Sequence, residues 1–326
     1  MKIAMLGAGS LAIALTKVLE NKNHEIVMWT KFENEKQDIE KNHENTKVFP
    51  GVKVSDKVSI TCDIKEAIEK AEVIINVLPF IAVRDVIKLI KEIYKEEQII
   101  LSATKGIDET TFITTTEIFE QELGAKYTAA LSGPSFAIEI ANGDNISFML
   151  GSKHIEVLEK LKNILETENI KIETTEDIVG IQLAGGIKNA VAIGSGMLAG
   201  MKAADSTKAA YLACAMTDMA NLLVSLGGKK ETTYTYAGVG DLLLTCMSST
   251  SRNFSFGYLL GEGLNTKQAI EKMNGKTVEG YKTIRALNKY VKENNISTYT
   301  IDTLYGIVFE DKDVKLIKKV WLKASH

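Results

Sequence analysis

The first 175 residues alternate short apolar runs with amphipathic stretches. Apolar runs typical of buried strands span 2–6, 25–29, 73–79 and 98–104. Helical patterns lie between them, at 10–21, 63–70 and 81–94. This alternation predicts a parallel sheet covered by helices on both faces. We expect the three later β-like stretches, YTAAL, ISFMLG and NIKIETT, to extend the same sheet.

The pattern changes after Thr175, where long helical periodicity begins and strand signals almost vanish. Thr175 is the expected helix start, with Glu176 and Asp177 in the first turn. The sequence therefore predicts an α/β chain with two domains. We expect residues 1–177 to form a doubly wound sheet domain and residues 178–326 to form an all-helical domain.

One formal charge, Lys188, interrupts the apolar stretch from Ile178 to Met201. A buried lysine is a candidate acid/base group, although a structural ion pair or a lysine that reaches the helix surface fits the pattern too. The stretch is long enough for a membrane span, but six glycines and the central Lys188–Asn189 pair disfavour that interpretation. We interpret these glycines as room for a substrate against a helix.

Composition narrows the function classes. Hydrophobic residues make up 45% of the chain and charged residues 25%, so we expect an ordinary buried core. The net charge of −3 and the lack of a basic block disfavour nucleic acid as a partner. The N-terminus has no signal-peptide pattern, and three separated cysteines fit a reduced, cytoplasmic protein: Cys62, Cys214 and Cys246. The histidines show no metal-ligand spacing, so no metal site is expected: His24, His43, His154 and His326.

A glycine-rich loop joins the first strand to the first helix. Gly7 permits the tight turn, Gly9 allows close approach to a pyrophosphate, and Ala12 lets the helix pack closely. This placement predicts a Rossmann nucleotide site. The second strand ends in Trp29-Thr30-Lys31, without the acid expected for NAD. Lys31 favours a 2′-phosphate and hence NADPH, while NADH stays open through Glu33.

Polar clusters follow several predicted strands and helix starts. They are Lys105-Gly106, Ser132-Gly133-Pro134-Ser135, Asp241 with Thr245, and Ser251-Arg252-Asn253. Cations beside small polar groups suit a compact phosphorylated substrate. Taken singly, each cluster also has a structural interpretation, such as a turn, a helix cap or a solvated surface residue.

Together the motifs resemble the bacterial NAD(P)-dependent glycerol-3-phosphate dehydrogenases. Seven segments match in family order: GAGSLA (7–12), ATKGI (103–107), LSGPSFAIEIANG (131–143), GGIKNAVAIGSGM (185–197), GVGDLLLTC (238–246), SRNFSFG (251–257) and VEGYKT (278–283). The resemblance implies a Rossmann domain followed by a helical domain, in a homodimer. It also implies reversible hydride transfer between NAD(P)H and dihydroxyacetone phosphate. The product, sn-glycerol 3-phosphate, supplies the backbone of phospholipids.

The resemblance also implies site residues. Lys188 is the expected catalytic acid/base, with Asp241 and Thr245 beside it. The expected substrate contacts are Lys105, Gly133, Ser135, Lys188, Asp241, Ser251, Arg252 and Asn253. The expected cofactor contacts, beyond Gly7 and Gly9, are Ser10, Leu11, Lys31, Lys105, Ala137, Arg252, Thr277 and Glu279. Val48 departs from the family, which often has an aromatic residue there.

Other functions remain open at this point. Sister reductases for β-hydroxyacids or ketopantoate also pair a Rossmann domain with a helical domain and use a lysine. They leave the GVGD and SRN segments unexplained. A nucleotide-sensing protein without catalysis needs no buried Lys188, and an interaction module for nucleic acid is disfavoured by charge.

Overall fold

The computed structural model describes residues 1–20 and 22–323, so the predicted end of the first helix at residue 21, and His326, lie outside the described residues. The chain separates into two compact units. The first contains Met1–Lys105 and Thr115–Val179, and the second contains Gly106–Thr114 and the chain from Gly180 onward. The predicted division after residue 177 falls two residues before the observed one.

An eight-stranded sheet forms the centre of the first unit, in the order β3-β2-β1-β4-β5-β6-β7-β8. The strands are β1 (Lys2–Leu6), β2 (Glu25–Trp29), β3 (Val58–Thr61), β4 (Val73–Asn76), β5 (Ile99–Ser102), β6 (Tyr127–Ser132), β7 (Ile146–Gly151) and β8 (Ile170–Thr175). The helices are α1 (Ser10–Glu20), α2 (Glu33–Asn42), α3 (Ile64–Ile68), α4 (Val83–Ile90), α5 (Thr115–Ile118), α6 (Ala137–Asn142) and α7 (Ile155–Leu165). The predicted Rossmann α/β fold is confirmed.

Two features of the sheet differ from the prediction. β7 pairs antiparallel with β6, and β8 runs parallel to β7, so the last two strands are reversed. The apolar pattern reports that a strand is buried, but it carries no information about direction. β3 was not predicted, because this short edge strand reads VSIT and buries only its two end residues.

Helices make up the second unit, and its described residues contain no strand. They are α8 (Ile178–Gly200), α9 (Asp205–Ser225), α10 (Asp241–Met247), α11 (Arg252–Gly261), α12 (Thr266–Lys272), α13 (Glu279–Glu293) and α14 (Thr300–Phe309). The predicted helix start at Thr175 is wrong. Thr175 ends β8, and both acids precede Ile178.

The segment 106–114 joins the second unit although the prediction placed it in the first domain. Gln182 on α8 donates a hydrogen bond to the Thr114 hydroxyl at 3.3 Å. Arg285 on α13 donates to the Glu109 carboxylate at 2.5 and 3.0 Å. The ring of Phe112, a residue with φ +60°, lies edge-on to Tyr290 at 5.0 Å. These contacts are long-range, which is why the local pattern did not reveal them.

Helix α8 passes the length and composition test for a membrane span, but 94% of its most apolar window is buried inside the protein. Its glycines serve helix packing, so the interpretation of room for a substrate is wrong for those that contact α11. A Cβ on Gly196 would overlap the Phe254 carbonyl oxygen, and one on Gly257 would overlap that of Ile193. Small residues on both helices therefore bring the two backbones together.

We predict that Gly257→Ala destabilises the protein by about 1–3 kcal/mol, because the added methyl forces α11 away from α8. Urea unfolding monitored by circular dichroism measures the change. Ser255→Ala, on the same helix, is the matched control; it loses only an exposed hydrogen bond to the Ser249 carbonyl and should cost less than about 1 kcal/mol. Equal stability of both variants would contradict the close packing.

A buried carboxylate caps α14. Asp218 on α9 accepts hydrogen bonds from the backbone N–H groups of Tyr299, at 3.0 Å, and Thr300, at 2.6 Å. Burial raises the pKa of Asp218 above its usual 3.8, despite these hydrogen bonds. The folded protein therefore binds the Asp218 proton more tightly than the unfolded chain does. Protonation of Asp218 contributes fully to the free energy of unfolding below pH 3.8, and this contribution is lost as the pH rises through the folded pKa.

We predict that Asp218→Asn removes this titration. The free energy of unfolding of the variant, relative to the wild type, should rise with pH above 3.8, because only the wild type has a side chain that loses a proton there. Guanidinium titrations at several pH values measure the difference. If the difference in the free energy of unfolding shrinks as the pH rises, ionised Asp218 is a better cap for α14 than the protonated side chain.

Candidate functional site

The glycine loop of the first unit has the geometry of a phosphate-binding turn. Gly7 adopts φ +120°, which disfavours a side chain, and its N–H donates to the Trp29 carbonyl at 2.8 Å. A Cβ on Gly9 would face open space, and α1 begins at the next residue, Ser10. An open approach to a helix N-terminus suits a pyrophosphate, so these residues fit a dinucleotide. Leu11 lies in the first turn of α1.

Asn45 supports this loop and was missed by the sequence analysis. It is 1% exposed, and its amide donates to the Ala8 carbonyl at 3.0 Å. The Ser10 hydroxyl donates to the Val48 carbonyl at 3.2 Å, so the same segment contacts the loop twice. The local sequence HENTK is polar and typical of a surface loop, and only the fold buries its asparagine.

Glu35, beside the end of β2, is a second residue that the sequence analysis missed. Thr30 is buried, and its hydroxyl donates to the Glu35 carboxylate at 2.5 Å. Lys31 is exposed, with its ammonium 5.5 Å from the centre of the Phe32 ring. Sequence spacing singled out Glu33, which lies at the start of α2, whereas Glu35 is the acid that contacts the strand end.

Other expected contacts in the first unit follow β5 and β6. Lys105 is half-buried after β5. Gly133 follows β6, where a Cβ would come within 2.7 Å of the Ser147 carbonyl oxygen, so a structural need for glycine exists there. The Ser135 hydroxyl donates to the Gly133 carbonyl at 3.4 Å, and Ala137 is the first residue of α6. All four follow carboxyl ends of strands, where doubly wound folds bind ligands.

The second unit buries Lys188 against two residues of α10. Lys188 donates to the Asp241 carboxylate, and to the Thr245 hydroxyl at 2.8 Å. Thr245 in turn donates to the Asp241 carbonyl at 2.7 Å. The exposed fractions are 6% for Lys188, 0% for Asp241 and 5% for Thr245. The structure thus brings together the three residues expected to act in catalysis.

This ion pair dominates the local electrostatics. Removing one partner of a buried pair leaves an uncompensated charge and typically costs about 3–5 kcal/mol. Cys246, the next residue after Thr245, is buried, and burial raises the pKa of its thiol to about 12. The thiol therefore stays protonated near neutral pH and offers no thiolate for nucleophilic chemistry. Lys188 and Asp241 form the ion pair of this buried cluster.

The SRN segment lies at the N-terminus of α11. Ser251 caps the helix by accepting from the Phe254 N–H at 3.3 Å, and Arg252 is exposed. The buried Asn253 accepts from the Gly280 N–H at 2.9 Å, which links α11 to the start of α13. Ser251 and Asn253 therefore have structural partners in addition to their expected contacts with substrate.

The start of α13 contacts the helix that carries Lys188. Asn189 donates to the Glu279 carboxylate at 3.1 Å, and a Cβ on Gly280 would overlap the Asn189 carbonyl oxygen. Thr277 is exposed just before α13. In the part of the chain that the structure describes, no cluster of three or more His, Cys, Asp or Glu side chains suits a metal ion.

Comparison with known proteins decides the family. Residues 2–158 match the family described as NAD-dependent glycerol-3-phosphate dehydrogenase N-terminus, and residues 177–319 match the corresponding C-terminus. The chain belongs to the NAD-dependent glycerol-3-phosphate dehydrogenase family. The resemblance found in its motifs is therefore confirmed, and the sister reductases no longer compete.

Individual relatives agree with the family. Glycerol-3-phosphate dehydrogenase [NAD(P)+] from Listeria innocua is 34% identical over 96% of this chain and 94% of its own length. The one from Fusobacterium nucleatum is 32% identical over 96% of this chain and 93% of its own length. The crystal structure of glycerol-3-phosphate dehydrogenase from Coxiella burnetii superposes with a TM-score of 0.92 and 29% identity, covering 99% of both chains.

We predict that Asn253→Ala costs about 1–3 kcal/mol of stability, because it leaves the buried Gly280 N–H without an acceptor. Thermal unfolding of the purified protein measures the loss. Asn163→Ala, which truncates an exposed asparagine on α7, is the matched control and should stay within about 0.5 kcal/mol of the wild type. A variant Asn253→Ala as stable as the wild type would show that this hydrogen bond contributes nothing to the fold.

Proposed function

We propose that this chain catalyses the reversible reduction of dihydroxyacetone phosphate to sn-glycerol 3-phosphate with NADH or NADPH, and that Lys188 is the general acid/base. Family membership over nearly the whole chain supports the reaction. The observation that carries the role of Lys188 is its burial against Asp241 and Thr245. A nucleotide sensor without catalysis has no use for such a buried charge.

Lys188 moves the proton in this proposal. The glycine loop with Gly7 and Gly9 would hold the nicotinamide cofactor, which would supply the hydride for the ketone carbon of the substrate. Lys188 donates its proton to the developing alkoxide during reduction and accepts it from the hydroxyl during oxidation. Asp241 holds the lysine ammonium in place, and Thr245 fixes the direction of one N–H bond. Restricting the lysine to one position lowers the entropic cost of reaching the transition state.

Binding of the substrate phosphate falls to the cationic and small polar groups. Arg252, exposed at the start of α11, supplies a guanidinium for charge-assisted hydrogen bonds. Ser251 and Asn253 supply small polar contacts beside it in the second unit. In the first unit, the groups proposed to contact the substrate are Lys105, Gly133 and Ser135. Binding energy from the phosphate, which does not react, orients the carbonyl that does.

The experiment that tests the reaction is an assay of cofactor oxidation. The purified protein is mixed with NADH or NADPH and with dihydroxyacetone phosphate, 2-ketopantoate or a β-hydroxyacid in its oxo form. Of the three substrates, we expect only dihydroxyacetone phosphate to be turned over. Turnover with either of the other substrates, and none with dihydroxyacetone phosphate, would overturn the proposal.

We predict that Lys188→Met lowers kcat by about 100-fold or more, because the alkoxide loses its proton donor. Binding of the reduced cofactor, followed by its fluorescence, should stay close to that of the wild type. Since the variant leaves Asp241 buried without its cation, the double variant Lys188→Met/Asp241→Asn serves to restore stability.

Lys208 lies on α9, where its side chain is partly exposed. Lys208→Met is the control for the loss of a positive charge. It should keep wild-type kcat. Near-normal turnover by the folded Lys188→Met variant would remove Lys188 from the chemistry.

The same proposal extends to the protein's setting. We propose that it acts as a homodimer in the cytoplasm and supplies glycerol 3-phosphate for phospholipid synthesis. Three free cysteines, none in a disulfide, are compatible with a reducing compartment. Light scattering on the purified protein tests the dimer, and a monomeric mass would contradict it.

A further inference from the structure

Two threonine–glutamate pairs of the same kind follow strands of the first unit. After β2, the Thr30 hydroxyl donates to the Glu35 carboxylate at 2.5 Å. At the end of β3, the Thr61 hydroxyl donates to the Glu66 carboxylate at 2.5 Å. Each hydroxyl also accepts from the backbone N–H two residues further along the chain, at 3.3 and 3.0 Å. The pair is therefore a local way of joining a strand to a helix.

The two pairs differ in their position relative to the glycine loop. The Gly7 N–H donates to the Trp29 carbonyl at 2.8 Å, so Thr30 directly follows a residue bonded to the loop. Thr61 ends the edge strand, one strand further away. In dinucleotide-binding folds, the acid that binds the adenosine ribose of NAD lies at the end of β2. Thr30 occupies the strand end itself, and Glu35 places a carboxylate beside it.

The charges around this point disfavour a 2′-phosphate. Glu33 and Glu35 both lie in the first turn of α2, where they offset the positive end of the helix dipole. Lys36 pairs with Glu40 at 3.5 Å and Glu33 at 3.9 Å, and these carboxylates raise its pKa. Lys31, the cation that the sequence offers for a phosphate, is exposed and lies 5.5 Å from the centre of the Phe32 ring, two residues before this acidic turn.

We propose that Glu35 binds the adenosine ribose hydroxyls of NADH and repels the 2′-phosphate of NADPH, so that this chain prefers NADH. The inference rests on the proposed function for its choice of cofactors. It reverses the preference that Lys31 indicated in the sequence, because the structure adds a fixed carboxylate that sequence spacing did not identify.

The experiment measures nucleotide binding without substrate. NADH and NADPH are each titrated into the wild type, Glu35→Gln and Glu66→Gln, and tryptophan fluorescence quenching gives the two Kd values. We expect the wild type to bind NADH more tightly. Glu35→Gln should lower the ratio of the NADPH Kd to the NADH Kd by about fivefold. This is the size expected for one partly exposed contact between like charges. Glu66→Gln removes the same kind of pair away from the loop and should leave the ratio unchanged.

Thermal unfolding of both variants identifies any common structural effect, since each loses a threonine–carboxylate hydrogen bond. Tighter binding of NADPH by the wild type overturns the inference, and this measurement needs no variant to fold. A ratio that is unchanged in Glu35→Gln, or equally changed in Glu66→Gln, also overturns it. A change in the ratio of Kd values that is confined to Glu35→Gln supports the inference. Absence of turnover with dihydroxyacetone phosphate would contradict the proposed function and would leave this support for the inference intact.

Discussion

The burial of the Lys188 charge is the constraint on which the second unit is organised. An ammonium group removed from water is stable only if a carboxylate and further hydrogen-bond acceptors meet it at close range. Asp241 and Thr245 meet that requirement from adjacent turns of α10. Their positions in turn demand that α8 and α10 stay fixed relative to each other. A small shift between these helices would leave two buried groups without their partner, so the site and the core stabilise each other.

Close helix packing supplies the rigidity that this arrangement needs. Glycines on α8 and α11 let the backbones approach to a distance that side chains would prevent. Because the contact is backbone to backbone, it fixes the start of α11, where Arg252 lies, relative to the helix that carries Lys188. Asn189 and Asn253 then connect the start of α13 to both helices through hydrogen bonds. The Lys188 ammonium, the Arg252 guanidinium and the Glu279 carboxylate are thus carried by helices that contact one another.

Most of the fold could be predicted, because strand burial and helix periodicity are local properties of the sequence. The glycine loop and the pairing of Asp241 with Thr245 on one helix face were also local, and the family motifs identified Lys188. Long-range features could not be predicted in this way. The reversal of β7, the burial of Asn45 and the packing role of Gly257 depend on partners distant in sequence. The contact of Thr30 with Glu35 is local, but it depends on how the backbone turns between β2 and α2. Short motifs therefore identify the candidate site residues, whereas the contacts that position these residues follow only from the folded structure.

The segment 106–114 has a consequence for how the chain is made. It is synthesised before β6, β7 and β8, yet it belongs to the unit built from Gly180 onward. Chains emerge from the ribosome N-terminal end first, and domains tend to fold in that order. The segment is therefore made well before α8 and α13, the helices that it contacts through Thr114, Glu109 and Phe112. The second unit is discontinuous in sequence, because the segment 106–114 lies between two parts of the first unit. A fragment that begins at Gly180 would therefore lack part of the second unit.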